Sequence, residues 1–181
     1  MGLSEIDIAN ARNYAIKQHG NQKYGGNPYV EHLDGVSEVL ERFGYTKEIY
    51  PYLHVIAYLH DTIEDTKVDI FEFVMEFTAM IYTFVWTLSQ ESGKNRKERF
   101  AKTYPKTRLM LVSVVVKVAD RISNTEQCIL KRPDLLKMYK REFGEFEREL
   151  NVHDDEGLLT MWSHLKTITE KGELDNAGTE V

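Results

Sequence analysis

Apolar residues recur at the spacing of an α-helix along most of this 181-residue chain. In the first segment, Ile8, Ala11 and Ala15 fall on one helical face, which predicts a helix that begins after the N-cap Ser4 and ends at Gly20. The same periodicity predicts further helices over residues 30–44, 49–65, 68–77, 79–89, 133–150 and 155–171.

Three connections between these helices have their own patterns. Residues 21–29, "NQKYGGNPY", are rich in glycine, asparagine and proline, which predicts a loop. Residues 90–106, "QESGKNRKERFAKTYPK", predict a basic loop followed by a short helix. Before the helix at 68–77, Thr66 and Asp69 fit the N-cap and the acid of the first turn.

The segment at residues 107–124, "TRLMLVSVVVKVADRISN", is ambiguous because its β-branched residues favour a strand locally. A lone strand would have no partner in an otherwise helical chain, so we predict a buried helix. The fold class that follows is all-α, a bundle of helices. We expect one domain over residues 1–171 and a flexible polar tail over residues 172–181.

The composition narrows the class of protein. The net charge is −6, which gives no overall basic surface for nucleic acid. The N-terminus lacks the pattern of a signal or transit peptide, and no apolar run approaches the roughly 20 residues needed to span a bilayer. A single cysteine, Cys128, excludes an internal disulfide and fits a reducing compartment. We therefore expect a cytoplasmic protein with no membrane or nucleic-acid partner.

The stretch "YLHDTIEDT" places His60, Asp61, Glu64 and Asp65 directly after an apolar run. On a helix that continues to Asp65, these side chains share an arc of about 140°. The three carboxylates then lie at the negative end of the helix dipole, where each is unfavourable by about 0.3–1 kcal/mol. The simpler interpretation is a core histidine beside a solvated acidic face. A divalent cation explains more, because it would accept the imidazole and neutralise the carboxylates.

Two distant residues could complete the coordination of such an ion. His32 lies early in a helix after the loop, and Asp120 follows the most apolar stretch of the chain. With His60 and Asp61 they form a mixed nitrogen and oxygen set that suits Mn²⁺, Fe²⁺ or Zn²⁺.

One dense basic run occurs in this acidic protein. Its members are Lys94, Arg96, Lys97, Arg99 and Lys102. They form either a solvated face or a phosphate-binding surface at the mouth of the site, and we take Arg96 and Lys97 as candidate substrate contacts.

Three blocks of sequence, "HGNQKYGGNPYVEH", "AYLHDTIEDT" and "VKVADRISNTE", resemble the HD-domain metal phosphohydrolases in order and spacing. The closer resemblance is to the hydrolase domain of RelA/SpoT homologues, including their small stand-alone forms. It implies a helical HD-domain fold. It also implies that the 3′-pyrophosphate of (p)ppGpp is removed by water activated at a metal, usually Mn²⁺, as part of the stringent response.

The resemblance also implies roles for individual residues. The residues that match the metal ligands are His32, His60, Asp61 and Asp120. Glu64 and Asp65 match the acids that position and activate the attacking water.

Asn124 matches a residue near the ribose or phosphate of the substrate, and Lys23 stands where the long hydrolases usually carry a base-stacking arginine. Glu126 also replaces an arginine. Lysine has no planar group for stacking. Two alternatives therefore remain beside (p)ppGpp hydrolysis: a nucleotidase or phosphatase for another nucleotide, such as a deoxynucleotide or NADPH, and a non-catalytic nucleotide-binding module.

Overall fold

The computed structural model describes residues 4–172. Its elements, in chain order, are α1 (Glu5–His19), β1 (Lys23–Tyr24), β2 (Asn27–Pro28), α2 (Val30–Arg42), α3 (Pro51–Leu59), α4 (Thr62–Asp65), α5 (Ile70–Leu88), α6 (Arg96–Thr107), α7 (Leu111–Lys131), α8 (Pro133–Leu150) and α9 (Glu156–Lys171). The predicted all-α class is confirmed. All of the predicted tail except Gly172 lies outside the described residues.

The connection between α1 and α2 differs slightly from the predicted loop. It forms a small antiparallel hairpin in which Lys23 pairs with Pro28 and Tyr24 pairs with Asn27. Gly25 and Gly26 make the turn with φ angles of 58° and 96°, a region that residues with a Cβ rarely adopt. The hairpin thereby directs Tyr24 towards α2 and α7.

The ambiguous segment is the central helix α7, which contacts α2, α3, α5, α8 and α9. Val114, Val115, Val116 and Val118 are all buried, which explains why the run is so apolar. The helix α2 approaches α7 closely at Gly35, where a Cβ would lie 3.0 Å from the Ser123 Oγ. This close approach places the N-terminal half of α2 beside the middle of α7.

The helix predicted over residues 49–65 is not continuous, because α3 ends at Leu59 and α4 is a separate single turn. Side chains bind the carbonyl groups that a continuing helix would have used. The Nδ1 of His60 lies 2.7 Å from the Ala57 carbonyl oxygen, and the Thr62 hydroxyl donates to the Leu59 carbonyl oxygen at 2.6 Å. His60 and Asp61 consequently lie in a turn between two helices.

The start of α5 also corrects the prediction. Asp69 is the N-cap, since its side chain accepts from the Glu72 N–H, whereas Thr66 ends α4. The two helices predicted over 68–77 and 79–89 are two helical pieces of α5, separated at Thr78, whose φ is 75°.

Within the described residues, α5 is long and apolar enough to cross a membrane by length and composition, contrary to the expectation from the sequence. Length and composition alone do not make α5 a membrane span, because Thr78 interrupts the helix. Phe73, Ile81 and Val85 also bury one face of α5 in the core that it shares with the other helices.

Candidate active site

The four predicted metal ligands meet at one point in the fold. The His32 Nε2 lies 3.5 Å from the Asp61 Oδ2 and 3.5 Å from the Asp120 Oδ1. The His60 Nε2 lies 3.0 Å and 3.9 Å from the same two oxygens. These ligands come from α2, from the turn after α3 and from α7. The packing of these elements, and not proximity in sequence, creates the cluster.

The two histidines are buried, with side chains only 2% and 1% exposed for His32 and His60. The bond between the His60 Nδ1 and the Ala57 carbonyl leaves its Nε2 facing the carboxylates. In the described part of the chain, no well-aligned hydrogen bond reaches this buried Nε2, although the Asp61 Oδ2 lies 3.0 Å away. A buried imidazole nitrogen that faces two carboxylates without a hydrogen bond fits a divalent metal ligand.

Electrostatics at the cluster indicate an excess of negative charge that a cation would balance. Burial alone would lower the pKa of His60, but the carboxylates of Asp61 and Asp120 outweigh it and raise the pKa to about 9. Burial opposes ionisation of Asp61, yet the two histidines hold its pKa well below the ordinary value. The cluster therefore favours an ionised Asp61 and attracts positive charge to His60.

Each carboxylate ligand is oriented by a neighbouring side chain. The Tyr29 hydroxyl donates to the Asp61 Oδ2 at 2.6 Å, and the Asn124 Nδ2 donates to the Asp120 Oδ1 at 2.6 Å. Lys117 lies one turn before Asp120 on α7, with its Nζ 3.7 Å from the Asp120 Oδ2. Such outer contacts hold ligands in place and tune the affinity of a metal site.

The predicted catalytic acids lie beside the cluster on α4. The Glu64 Oε2 accepts a hydrogen bond from the Gln90 N–H at 2.7 Å, and desolvation raises the pKa of Glu64 despite that bond. The Asp65 Oδ2 accepts from the Gln22 Nε2 at 2.9 Å and from the Tyr29 hydroxyl at 3.1 Å. Each acid is thus held through one oxygen.

Basic side chains also line the cleft, which has a volume of about 260 Å³. Arg96, Lys117 and Arg121 line it together with the acids. Glu142 on α8 fixes two of these cations, accepting from the Arg96 Nε at 2.5 Å and from an Arg121 nitrogen at 3.2 Å. A cleft that holds both acids and fixed guanidinium groups suits a phosphate ester next to a metal.

The four predicted substrate contacts have different locations. Asn124 and Arg96 line the cleft. Lys23 is exposed on the hairpin and is not among the lining residues. Lys97 is also exposed, and it lines a neighbouring groove with Met138 and Arg141. The structure therefore brings only two of the four to the metal cluster.

A second cavity of about 310 Å³ adjoins the cleft, and Tyr24 and His32 line both spaces. Other residues around the second cavity include Gly35, Val39, Gln127 and Leu130. Glu126 also lines it, with its charge compensated by Arg42 at 2.8 Å and by the His164 Nε2 at 2.8 Å. Burial raises the pKa of Glu126, but its bonds to His164 and Arg42 outweigh burial and lower that pKa below its ordinary value.

Several residues of the site were not identified from the sequence. Lys117 and Arg121 could have been found, since they share a helical face with Asp120 and Asn124 once residues 107–124 are assigned to a helix. Tyr24 and Tyr29 carry no comparable signal, because tyrosine is common in cores and only packing directs these two to the ligands.

The chain is similar in sequence to curated ppGpp hydrolases, although no protein-family model matches it. It is 27% identical over 176 residues to the guanosine-3′,5′-bis(diphosphate) 3′-pyrophosphohydrolase of Aquifex aeolicus, covering 92% of this chain and 25% of that protein. It is 32% identical over 92 residues to the enzyme of the same name, MESH1, of Danio rerio, covering 48% of this chain and 49% of that protein. The human MESH1 is 28% identical over 102 residues. The chain thus spans a quarter to about half of these relatives.

A solved structure shares the fold with a TM-score of 0.75, covering 95% of this chain and 99% of that chain. It is described as a metazoan ortholog of SpoT that hydrolyses ppGpp and plays a role in starvation responses, and it is 17% identical to this chain. The similarity in sequence and the shared helical fold confirm the resemblance of this chain to the HD-domain ppGpp hydrolases.

Proposed function

We propose that this chain is a divalent-metal-dependent phosphohydrolase that removes the 3′-pyrophosphate of (p)ppGpp. One observation carries the proposal: two histidines, two aspartates and two further acids converge on a cleft that arginine and lysine side chains also line. The curated relatives bear the name of this activity, which supports the choice of substrate.

His32, His60, Asp61 and Asp120 would hold the metal. Mn²⁺ is our proposal for its identity, because two imidazoles and two carboxylates suit that ion and the resemblance favours it. A divalent ion held there would acidify water and polarise a phosphoryl oxygen. The chain supplies the geometry through Tyr29 and Asn124, which orient the two carboxylates.

Glu64 and Asp65 would handle the proton of the attacking water. The hydrogen bonds to Glu64 and Asp65 engage the Oε2 and the Oδ2, so that the Oε1 of Glu64 and the Oδ1 of Asp65 can accept a proton. Desolvation raises the pKa of Glu64, which brings its basicity closer to that needed near neutral pH.

Arg96 and Arg121 would bind phosphate oxygens in the cleft. Glu142 holds both guanidinium groups in place before a substrate arrives, which reduces the entropy lost on binding. The Arg96 guanidinium also lies 4.5 Å from the centroid of the Phe100 ring, which restricts it further.

The adjoining cavity would receive the nucleoside. It adjoins the cleft at Tyr24 and His32, which line both spaces, so a base there would place the ribose phosphates near the metal ligands. Glu126 lines that cavity in place of the arginine usual in long hydrolases, and Lys23 is exposed on the hairpin. The substrate panel described next therefore also tests whether the chain prefers a guanine nucleotide.

The decisive experiment is a turnover panel with chelator-treated protein and added Mn²⁺. Its members are ppGpp, pppGpp, a deoxynucleoside monophosphate, a deoxynucleoside triphosphate and NADPH. We expect Mn²⁺-dependent release of pyrophosphate from ppGpp and pppGpp. Faster turnover of NADPH or a deoxynucleotide would move the assignment to that substrate. Nucleotide binding without turnover of any member would contradict an enzymatic function.

A further inference from the structure

Tyr24 separates the two cavities of the site and touches the metal ligands from the side of the hairpin. Its ring stacks on the His32 imidazole, with centroids 4.6 Å apart and planes inclined by 25°. The same ring meets Tyr29 edge-on at 6.1 Å. Tyr24 is therefore in direct contact with one of the four ligands and lines both spaces.

The Tyr24 hydroxyl reaches a second ligand through Asn124. It donates to the Asn124 Oδ1, and the Asn124 Nδ2 donates to the Asp120 Oδ1 at 2.6 Å. Burial raises the pKa of Tyr24, so its phenol keeps the proton that it donates. Two hydrogen bonds in series thus connect the hairpin to a carboxylate ligand.

The orientation of Asn124 follows from the chemistry of both neighbours. A carboxylate only accepts hydrogen bonds, so the amide must present an N–H to Asp120. The amide oxygen is then left to accept from Tyr24. A flipped amide would place oxygen against oxygen at Asp120, so the carboxylate sets the orientation and the Tyr24 hydroxyl then donates to the amide oxygen.

We propose that Tyr24 is a positioning residue for the metal centre, with its ring holding His32 and its hydroxyl holding Asp120 through Asn124. The inference rests on the proposed metal-dependent function and assigns a role within the same site. Because Tyr24 acts on ligands and not on the substrate, its effect appears in the affinity for the metal itself. Removing an outer contact of this kind typically weakens metal binding about 10–100-fold.

The test is calorimetric titration of chelator-treated protein with MnCl₂ alone. Tyr24→Phe keeps the stacked ring and removes only the hydroxyl, and we expect its Mn²⁺ affinity to fall about 10–100-fold. Tyr45→Phe is the matched control, because the Tyr45 hydroxyl also donates to a carboxylate, that of Asp155, outside the metal cleft. We expect Tyr45→Phe to bind Mn²⁺ as the wild-type chain does.

A double-mutant cycle distinguishes positioning through Asn124 from an independent effect. If the hydroxyl acts through Asn124, the double variant Tyr24→Phe/Asn124→Ala should bind Mn²⁺ as tightly as Asn124→Ala alone. Additive losses, or an unchanged affinity in Tyr24→Phe, would overturn the inference.

Circular dichroism on each metal-free variant establishes that the titrated protein is folded. If Tyr24 has a purely structural role, the Tyr24→Phe variant should melt at a lower temperature but bind Mn²⁺ with unchanged affinity while folded. That result would also overturn the inference. Failure of the wild-type chain to bind Mn²⁺ would overturn the proposed function together with this inference. A wild-type site that Tyr24→Phe leaves intact overturns the inference alone.

Discussion

At the residue scale, the candidate site separates side chains that face the histidines from side chains that lie one turn further along the chain. Asp61 approaches both histidine Nε2 atoms, at 3.5 Å and 3.0 Å. Asp65 instead accepts hydrogen bonds from Gln22 and Tyr29. The Tyr29 hydroxyl contacts both Asp61 and Asp65, so one side chain connects the candidate metal ligand with the candidate catalytic acid.

This separation predicts different outcomes for two aspartate-to-asparagine changes. Asp65→Asn keeps the shape of the side chain and removes its basicity, so we expect the metal to stay bound while turnover falls about 10²–10⁴-fold. Asp61→Asn removes a ligand charge, so we expect it to lose the metal. Metal content and turnover, measured on the same preparations, test both expectations. Loss of metal in Asp65→Asn but not in Asp61→Asn would contradict the assigned roles.

At the scale of elements, the packing of α6 against α8 decides which basic residues face the cleft. Arg96 and Lys97 are consecutive, so their side chains leave the helix about 100° apart. Arg96 is fixed by Glu142 of α8 and lines the cleft, whereas Lys97 points into the groove beside Met138. Adjacent residues of equal charge therefore have unequal access to a substrate.

Arg96→Ala and Lys97→Ala form a matched pair that tests this geometry. A hydrogen bond to a charged group contributes about 1.5–3 kcal/mol, so we expect Arg96→Ala to raise KM about 10–100-fold with little change in the Mn²⁺ affinity. Lys97→Ala should change KM less than about 2-fold, since an exposed charge outside the cleft is screened by salt. Steady-state kinetics with ppGpp measure both values. Equal increases in KM would mean that the whole basic run attracts the substrate by non-specific electrostatics and that Arg96 makes no specific contact.

At the scale of the whole molecule, the cluster of candidate metal ligands joins distant parts of the chain. His32 belongs to α2, His60 and Asp61 follow α3, and Asp120 lies near the middle of α7. A ligand that binds only when these elements are packed stabilises the folded state in proportion to its occupancy. The cluster should therefore couple metal binding to folding.

We expect Mn²⁺ to raise the melting temperature of the chain, and more at about pH 8 than at about pH 6. In metal-free protein the pKa of His60 is raised to about 9, above its ordinary value, because the adjacent carboxylates outweigh burial. Its charged form thus stabilises the metal-free fold below about pH 6.5, and this contribution is lost as the pH rises through about 9. Mn²⁺ must displace that proton, and the displacement becomes easier as the pH rises.

Thermal melts of chelator-treated protein with and without MnCl₂ measure this difference. Asp120→Asn is the control, because it removes one ligand charge and should reduce the stabilisation at both pH values. A larger increase at about pH 6 than at about pH 8 would contradict the expected direction.

The sequence by itself predicted most of the helices and the set of candidate metal ligands that the fold brings together. Helical periodicity is a local property, so α1, α2, α8 and α9 lie close to where their patterns predict them. Even the break at Thr78 falls between two predicted helices. The candidate ligands and the two candidate catalytic acids could be predicted because titratable side chains next to apolar runs, in the order and spacing of a known family, are a distinctive pattern.

Only the tertiary structure decided which further side chains reach the ligands. The hairpin turns Tyr24 onto His32 and leaves Lys23 exposed, although the two are neighbours in sequence. The end of α3 at Leu59 depends on two side-chain bonds to carbonyl groups, which no periodicity records. Periodicity describes one element at a time, whereas the direction of a side chain into a shared cavity depends on how separate elements pack together.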